Sequence, residues 1–177
     1  MSYPELIETE RLTLRRLSEA DAGAYDAIWS DPSVWDALSP RPDGDPAAAA
    51  VRSLDKQVRH WDEHGFGLWG AIPAGEQAPV GWIGAWYPDF VPDVRGEIEI
   101  GWTLRAPFRG RGYATEGARE AVAAAFEHHG PDRVISLIAP GNDPSAAVAA
   151  RLGMRQVTEA QTDLGILLRV FELPRPG

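Results

Sequence analysis

The segment Arg109-Gly110-Arg111-Gly112-Tyr113-Ala114-Thr115-Glu116 has the residue types and spacing to hold an anion. Its glycines let the backbone turn sharply and approach a ligand closely. A helical pattern starts just after them, so free N–H groups at a helix N-terminus would point at the same place. Arg109 and Arg111 add positive charge beside it. The combination describes a pyrophosphate cradle. It is not a P-loop, because no Gly-Lys-Ser/Thr follows, and the G-x-G-x-x-G spacing of a dinucleotide fingerprint is missing. The plainer alternative is a tight strand-to-helix turn with solvated arginines.

Two carboxylates form the second chemical feature. The run from Glu97 to Leu104 alternates apolar and polar residues and reads as a strand. Alternation puts Glu97, Glu99 and Gly101 on one face. Two carboxyls on one face raise each other's pKa, and burial raises it further, which suits a base. If both face solvent, they are only the strand's polar side.

Other chemistries find little support. Cysteine is absent, which removes disulfides and thiol nucleophiles. No G-x-S-x-G elbow occurs. His60 and His64 stand at i,i+4 without the Glu of H-E-x-x-H, and are expected to be a surface pair; no metal is expected.

The elements that would position these residues follow from the pattern. Strands are expected at 11–17, 68–72, 80–87, 97–104, 134–138, 154–157 and 165–172. Helices are expected from a Ser18 cap, with Asp21 three residues later, to Trp29, from Ala47 to His64 with Gly65 as its stop, from Thr115 to His129, and from an Asp143 cap to Leu152. Gly75-Glu76-Gln77 marks a hairpin turn. The strand–helix–strand unit from Glu97 to Ile138 implies a parallel pair with a right-handed crossover. The fold class is therefore α/β, with a mixed sheet. One domain over residues 1–177 is expected, with its core at about 9–173.

Composition agrees. The 177 residues are 44% hydrophobic and 24% charged, with seven Trp available for a core. No apolar run is long enough to span a membrane, and the opening residues lack an apolar signal core. A cytoplasmic location is therefore expected. The net charge of −9 disfavours nucleic acid and could favour amine substrates, or only maintain solubility.

The run Glu99 to Leu104, then Pro107, then Arg109 to Glu116 resembles the GNAT acetyltransferase superfamily. Arg109, Gly112 and Ala114 match its Gln/Arg-x-x-Gly-x-Gly/Ala signature. Asn142 to Val148, ending in Leu152-Gly153-Met154, is similar to the family's second stretch. Glu10 to Arg15 and Gly65 to Trp69 are similar to the RimJ/RimL-like branch, which acetylates protein N-termini. The resemblance covers about Thr9 to Phe171.

It implies a GNAT-like central sheet, flanked by helices, in which two parallel strands splay apart. Acetyl-CoA would be the cosubstrate. Its pantetheine would lie in the gap on the backbone of Trp102, Thr103 and Leu104, and its pyrophosphate on Arg109, Gly110, Arg111, Gly112, Tyr113 and Ala114. Asn142 would contact the pantetheine, or only form the turn before its helix. Glu99 occupies the branch's catalytic position, and a neutral primary amine would attack the thioester directly. Ser145 would hydrogen-bond the sulfur, or only its own helix; the family's usual Tyr acid is replaced by Ala149. Trp29, Trp35 and the loop Ser39–Asp45 would face the acceptor with Glu97, unless both Trp merely pack. The 157–165 loop would be the other wall. The acceptor would be a small molecule or protein N-terminus, and the protein a monomer or homodimer. The competing readings are a non-catalytic acyl-CoA-binding module and a generic phosphate-binding α/β domain.

Overall fold

The structure, a computed structural model, describes residues 2–38 and 44–177. Among the described residues, eight strands form one sheet. They are β1 (Leu6–Glu8), β2 (Leu12–Arg16), β3 (Leu68–Pro73), β4 (Gly81–Trp86), β5 (Glu99–Leu104), β6 (Arg133–Ile138), β7 (Arg155–Gln161) and β8 (Leu167–Pro174). Five α-helices join them: α1 (Ala22–Trp29), α2 (Pro32–Trp35), α3 (Pro46–His64), α4 (Tyr113–His128) and α5 (Asp143–Arg151). The strand order is β1-β2-β3-β4-β5-β6-β8-β7. Every neighbouring pair is antiparallel except β5 and β6, which are parallel.

Local chemistry explains the helix ends. The Asp45 side chain accepts the Ala48 N–H at 2.8 Å, Pro46 opens α3, and Gly65 closes it at φ 73°. α4 and α5 cover one face of the sheet, where Ile83 and Ile100 meet Ala118, Ala121 and Ala149. α1 and α3 cover the other face through Tyr25, Ile28, Leu54 and Trp82. α4 lies very close to β4: a Cβ on Gly117 would stand 2.7 Å from the Ile83 Cδ1.

Several expectations are corrected. The three-residue β1 and the four-residue α2 are too short to give a period. Ser18 caps as expected, with Asp21 bonding back to it, but the turn it opens is 3-10, Glu19–Asp21, and α1 starts only at Ala22. The cap of α5 is Asn142, whose Oδ1 accepts the Ser145 N–H at 3.2 Å, and not Asp143. β7 runs on to Gln161, so most of the expected 157–165 loop is strand.

Glu97 lies outside β5. A 3-10 turn at Pro92–Val94 and Gly96 at φ 84° draw the chain aside, and Glu97 N–H bonds to the Val94 carbonyl. His60 is no surface residue. It is buried, its Nδ1 lies 2.8 Å from the Phe66 carbonyl oxygen, and its Nε2 accepts the Tyr87 N–H at 3.1 Å. Burial holds its pKa below the usual value, so it ties α3 to β4 as a neutral ring.

Gly117→Val is expected to overpack this α4–β4 contact and to cost about 1–3 kcal/mol in urea unfolding. An unchanged midpoint would mean that the helix does not sit this close to the sheet.

Candidate active site

β5 and β6 share one register pair, Glu99↔Ile135, before they separate. At their start, Ile135 N–H donates to the Ile98 carbonyl at 2.9 Å. Then side chains bridge the widening gap: the Ser136 hydroxyl donates to the Ile100 carbonyl at 2.5 Å, and the Leu137 N–H donates to Glu99 Oε1 at 3.3 Å. Alternate residues of a strand direct their backbone groups to opposite sides. Ile98 and Ile100 face β6, so Trp102 and Leu104 do too. Arg109 Nε takes the Leu104 carbonyl at 2.7 Å. The N–H and C=O of Trp102 and the N–H of Leu104 are left facing the gap. Thr103 departs from the expectation, since its backbone faces β4 and only its side chain lines the gap.

The gap belongs to a cavity of about 1510 Å³ that reaches from the Gly turn past Glu99 to Trp29. Gly110 at φ 73° and Gly112 at φ 84° form the turn. These left-handed angles suit glycine. Gly112 is the N-cap residue of α4, and no side chain caps the helix. The free N–H groups and positive dipole end of α4 therefore open on the cavity.

The turn is held from far away in sequence. The Arg11 guanidinium donates to the Arg111 carbonyl at 2.8 Å and to the Glu116 carboxylate at 2.7 Å, and lies over the Tyr113 ring. Thr9 Oγ1 also donates to Glu116 at 2.6 Å. Burial works against the Glu116 charge, but the bonds from Thr9 and Arg11 hold its carboxyl below the usual range. Sequence reasoning missed this clip, because about a hundred residues separate its halves and no local pattern links them. Arg109, Gly110, Gly112, Tyr113 and Ala114 line the cavity. Arg111 does not, and its guanidinium lies over Phe108.

Glu99 is buried where the strands part, and among the described residues its Oε2 has no hydrogen-bond partner. Burial is the main cause that pushes its pKa up to about 8, against lesser opposing effects from the Leu137 N–H, Trp86 and Lys56. The expected mutual shift with Glu97 is not the cause. Glu97 turns to Arg133 in a 2.8 Å ion pair and does not line the cavity.

Asn142 and Ser145 both line the cavity, on the helix that packs beside β6. Ala149 is fully buried and offers no acid. Trp29 lines the far end, whereas Trp35 packs edge-on against Trp29 at 6.1 Å and does not line it. In the expected loop Ser39–Asp45, residues 39–43 lie outside the described residues. Leu168 of β8 supplies the wall that the 157–165 segment was expected to give.

Comparison with known proteins agrees with this geometry. Residues 11–155 match the family model described as an acetyltransferase (GNAT) domain. An uncharacterized N-acetyltransferase p20 from Bacillus licheniformis is 27% identical over 152 residues, covering 86% of this chain and 83% of that protein. The FsC-acetyl coenzyme A-N(2)-transacetylase of Aspergillus fumigatus is 34% identical over 120 residues, 64% of this chain and 46% of its own length. The crystal structure of an acetyltransferase from Agrobacterium tumefaciens superposes with a TM-score of 0.81 at 29% identity, over 99% of this chain and 96% of that one.

Gly112→Val forces a branched residue into a left-handed angle and brings it toward Arg11. Acetyl-CoA affinity by calorimetry is expected to fall about 10-fold or more, the equivalent of one hydrogen bond to a charged group. Arg11→Ala removes the brace on the turn and should also weaken binding; unchanged affinity would show that the clip is idle. Glu99 makes a separate prediction about stability. Its folded pKa of about 8 lies above the ordinary 4.5. Its contribution is fully present below pH 4.5 and is lost as pH rises through about 8. Glu99→Gln should therefore gain stability over the natural protein across that window, read as a melting-temperature difference that grows with pH.

Proposed function

The chain belongs to the GNAT acetyltransferase family, and from that premise we propose that it moves the acetyl group of acetyl-CoA to a primary amine by direct attack, with Glu99 as general base. One observation carries the reading: a buried carboxyl with a bare oxygen stands where β5 and β6 part. The residues fit acetyl-CoA. An uncapped helix end follows a left-handed Gly turn, and unpaired strand groups line the gap beside it. When bound, acetyl-CoA supplies the acetyl group as a thioester.

The N–H groups of Tyr113 and Ala114, after Gly112, would hold the pyrophosphate, with Arg109 beside them. Trp102 and the Leu104 N–H would bond the pantetheine arm as a strand bonds its neighbour. Asn142 uses Oδ1 as a cap and keeps Nδ2 for the arm. Ser145 would donate to the sulfur as it leaves; the Ser136 hydroxyl is already engaged by Ile100.

Glu99 is matched to its task. An α-amine has a reference pKa of about 7.7–8.0, close to the 8 of Glu99. Proton transfer between them is then nearly level in free energy. The acetyl coenzyme A and N(2)-transacetylase in the name of the Aspergillus fumigatus relative support this donor and a nitrogen acceptor.

Turnover should rise with pH through about 8 as Glu99 loses its proton. Glu99→Gln is expected to lower kcat about 10²–10⁴-fold and to leave acetyl-CoA affinity unchanged, with a loss that grows as pH rises through about 8 and Glu99 becomes the free base. Glu97→Gln, remote from the cavity, should leave the profile where it is. Full turnover of Glu99→Gln near pH 7 would move the proton-accepting role to another group.

A further inference from the structure

The face of β5 that carries Glu99 has an opening in it. Glu99, Gly101 and Thr103 share that face, and their partners on β4 are Trp86, Gly84 and Trp82. Two opposed glycines thus lie between two indoles. Gly84 is required by packing, since a Cβ there would meet the Gly67 carbonyl at 2.6 Å and the Leu68 Cα at 2.7 Å. Gly101 is different. A Cβ there would meet only Trp86 Nε1 at 3.8 Å and Leu68 Cδ2 at 3.9 Å, both ordinary contacts, and its φ is not left-handed. The backbone and the packing would accept alanine. What glycine preserves is cavity space beside the Glu99 carboxyl.

Resting on the transferase reading, we propose that the acceptor is a small primary amine whose neighbouring group is flat and apolar, seated over Gly101 between Trp82 and Trp86 with its nitrogen at Glu99. The walls fit such a group. Leu68, Trp82 and Trp86 line this end, and Trp29 stacks on Trp82 at 5.7 Å between ring centroids. Flat rings gain from stacking and from apolar burial in such a chamber.

Polar groups at the same end fit an amine. Trp29 and Gln57 are buried and line the cavity, and the Trp29 Nε1 and Gln57 Oε1 have no partner among the described residues. Buried polar atoms left in that state are costly until a ligand meets them. Gln57 Oε1 and Glu99 Oε2 accept hydrogen bonds, as an amine requires. An extended polypeptide would instead bring a peptide N–H and C=O at every residue to walls that offer few partners for them. Polyamines are disfavoured for another reason. Lys56 lies over the Trp86 ring at 4.8 Å and lines the same end. This cation repels a second positive charge on the acceptor, even though the whole chain is acidic.

The test uses 2-phenylethylamine, spermidine and a short peptide with a free N-terminus. Binding is read by calorimetry on the CoA-loaded protein, and transfer by free-thiol release from acetyl-CoA. The aromatic amine should bind tightest and have a kcat/KM about 10-fold or more above the other two. Gly101→Ala should weaken its binding about 10-fold, the discrimination expected of one added methyl in a pocket, and Gly101→Val should weaken it further. Acetyl-CoA affinity and the near-ultraviolet circular dichroism should be unchanged in both. A preference for spermidine or the peptide overturns the proposal, as does aromatic-amine binding that ignores both substitutions. Binding of 2-phenylethylamine, weakened by Gly101→Ala but without thiol release from any amine, supports the chamber and overturns the transferase reading instead.

Discussion

The parting of β5 from β6 is the constraint on which the rest of the structure depends. Two parallel strands that stayed paired would satisfy each other and leave nothing for a ligand. Here pairing stops after Glu99↔Ile135, while β4 keeps hold of β5 and β8 keeps hold of β6. Each strand is anchored on its outer side, so the gap between them persists without collapse. The exposed strand groups, the uncapped start of α4 and the Glu99 carboxyl all open on that gap. Ser136 and Glu99 bridge its narrow end, so the side chains that limit the opening also line the cavity.

Burial gives Glu99 its chemical character, and it works against the fold as it does so. A carboxyl with one weakly bonded oxygen and one bare one is disfavoured as an anion in the interior. The same environment that raises its pKa destabilises the ionised protein. Elsewhere the structure avoids this conflict. Glu97, only two residues earlier, finds Arg133; Asp21 accepts a two-pronged bond from Arg15 and is held below the usual range despite burial, by the Arg15 and Ser18 bonds. The contrast separates carboxylates that serve structure from the one placed against a cavity.

Legibility in the sequence tracks how local the determining physics is. The Gly turn was readable because Gly110 and Gly112 sit beside the helix start that they open. The strand alternation around Glu99 was readable for the same reason, and the order of elements implied the parallel pair. What the pattern missed depends on distant partners. Glu97 appeared to share a face with Glu99, but Gly96 and the preceding 3-10 turn removed it from the strand. His60 looked like a helix-end surface residue, because its partners Phe66 and Tyr87 lie in other segments. The aromatic chamber was visible only as a high Trp count; which indoles meet is decided by the β4–β5 register and by α1.

The clip between Arg11 and Glu116 has a consequence for how the molecule comes into being. During synthesis Arg11 is made long before its partners, so the Gly turn cannot be braced until α4 has emerged and β2 has joined the sheet. Any anion site at this turn is thus a property of the assembled fold and not of the Gly-rich peptide alone. A ligand that requires the braced turn stabilises the joining of the chain's opening strands to its fourth helix, by mass action on the folded form. Cosubstrate concentration in the cell would then act on the lifetime of this protein as well as on its rate.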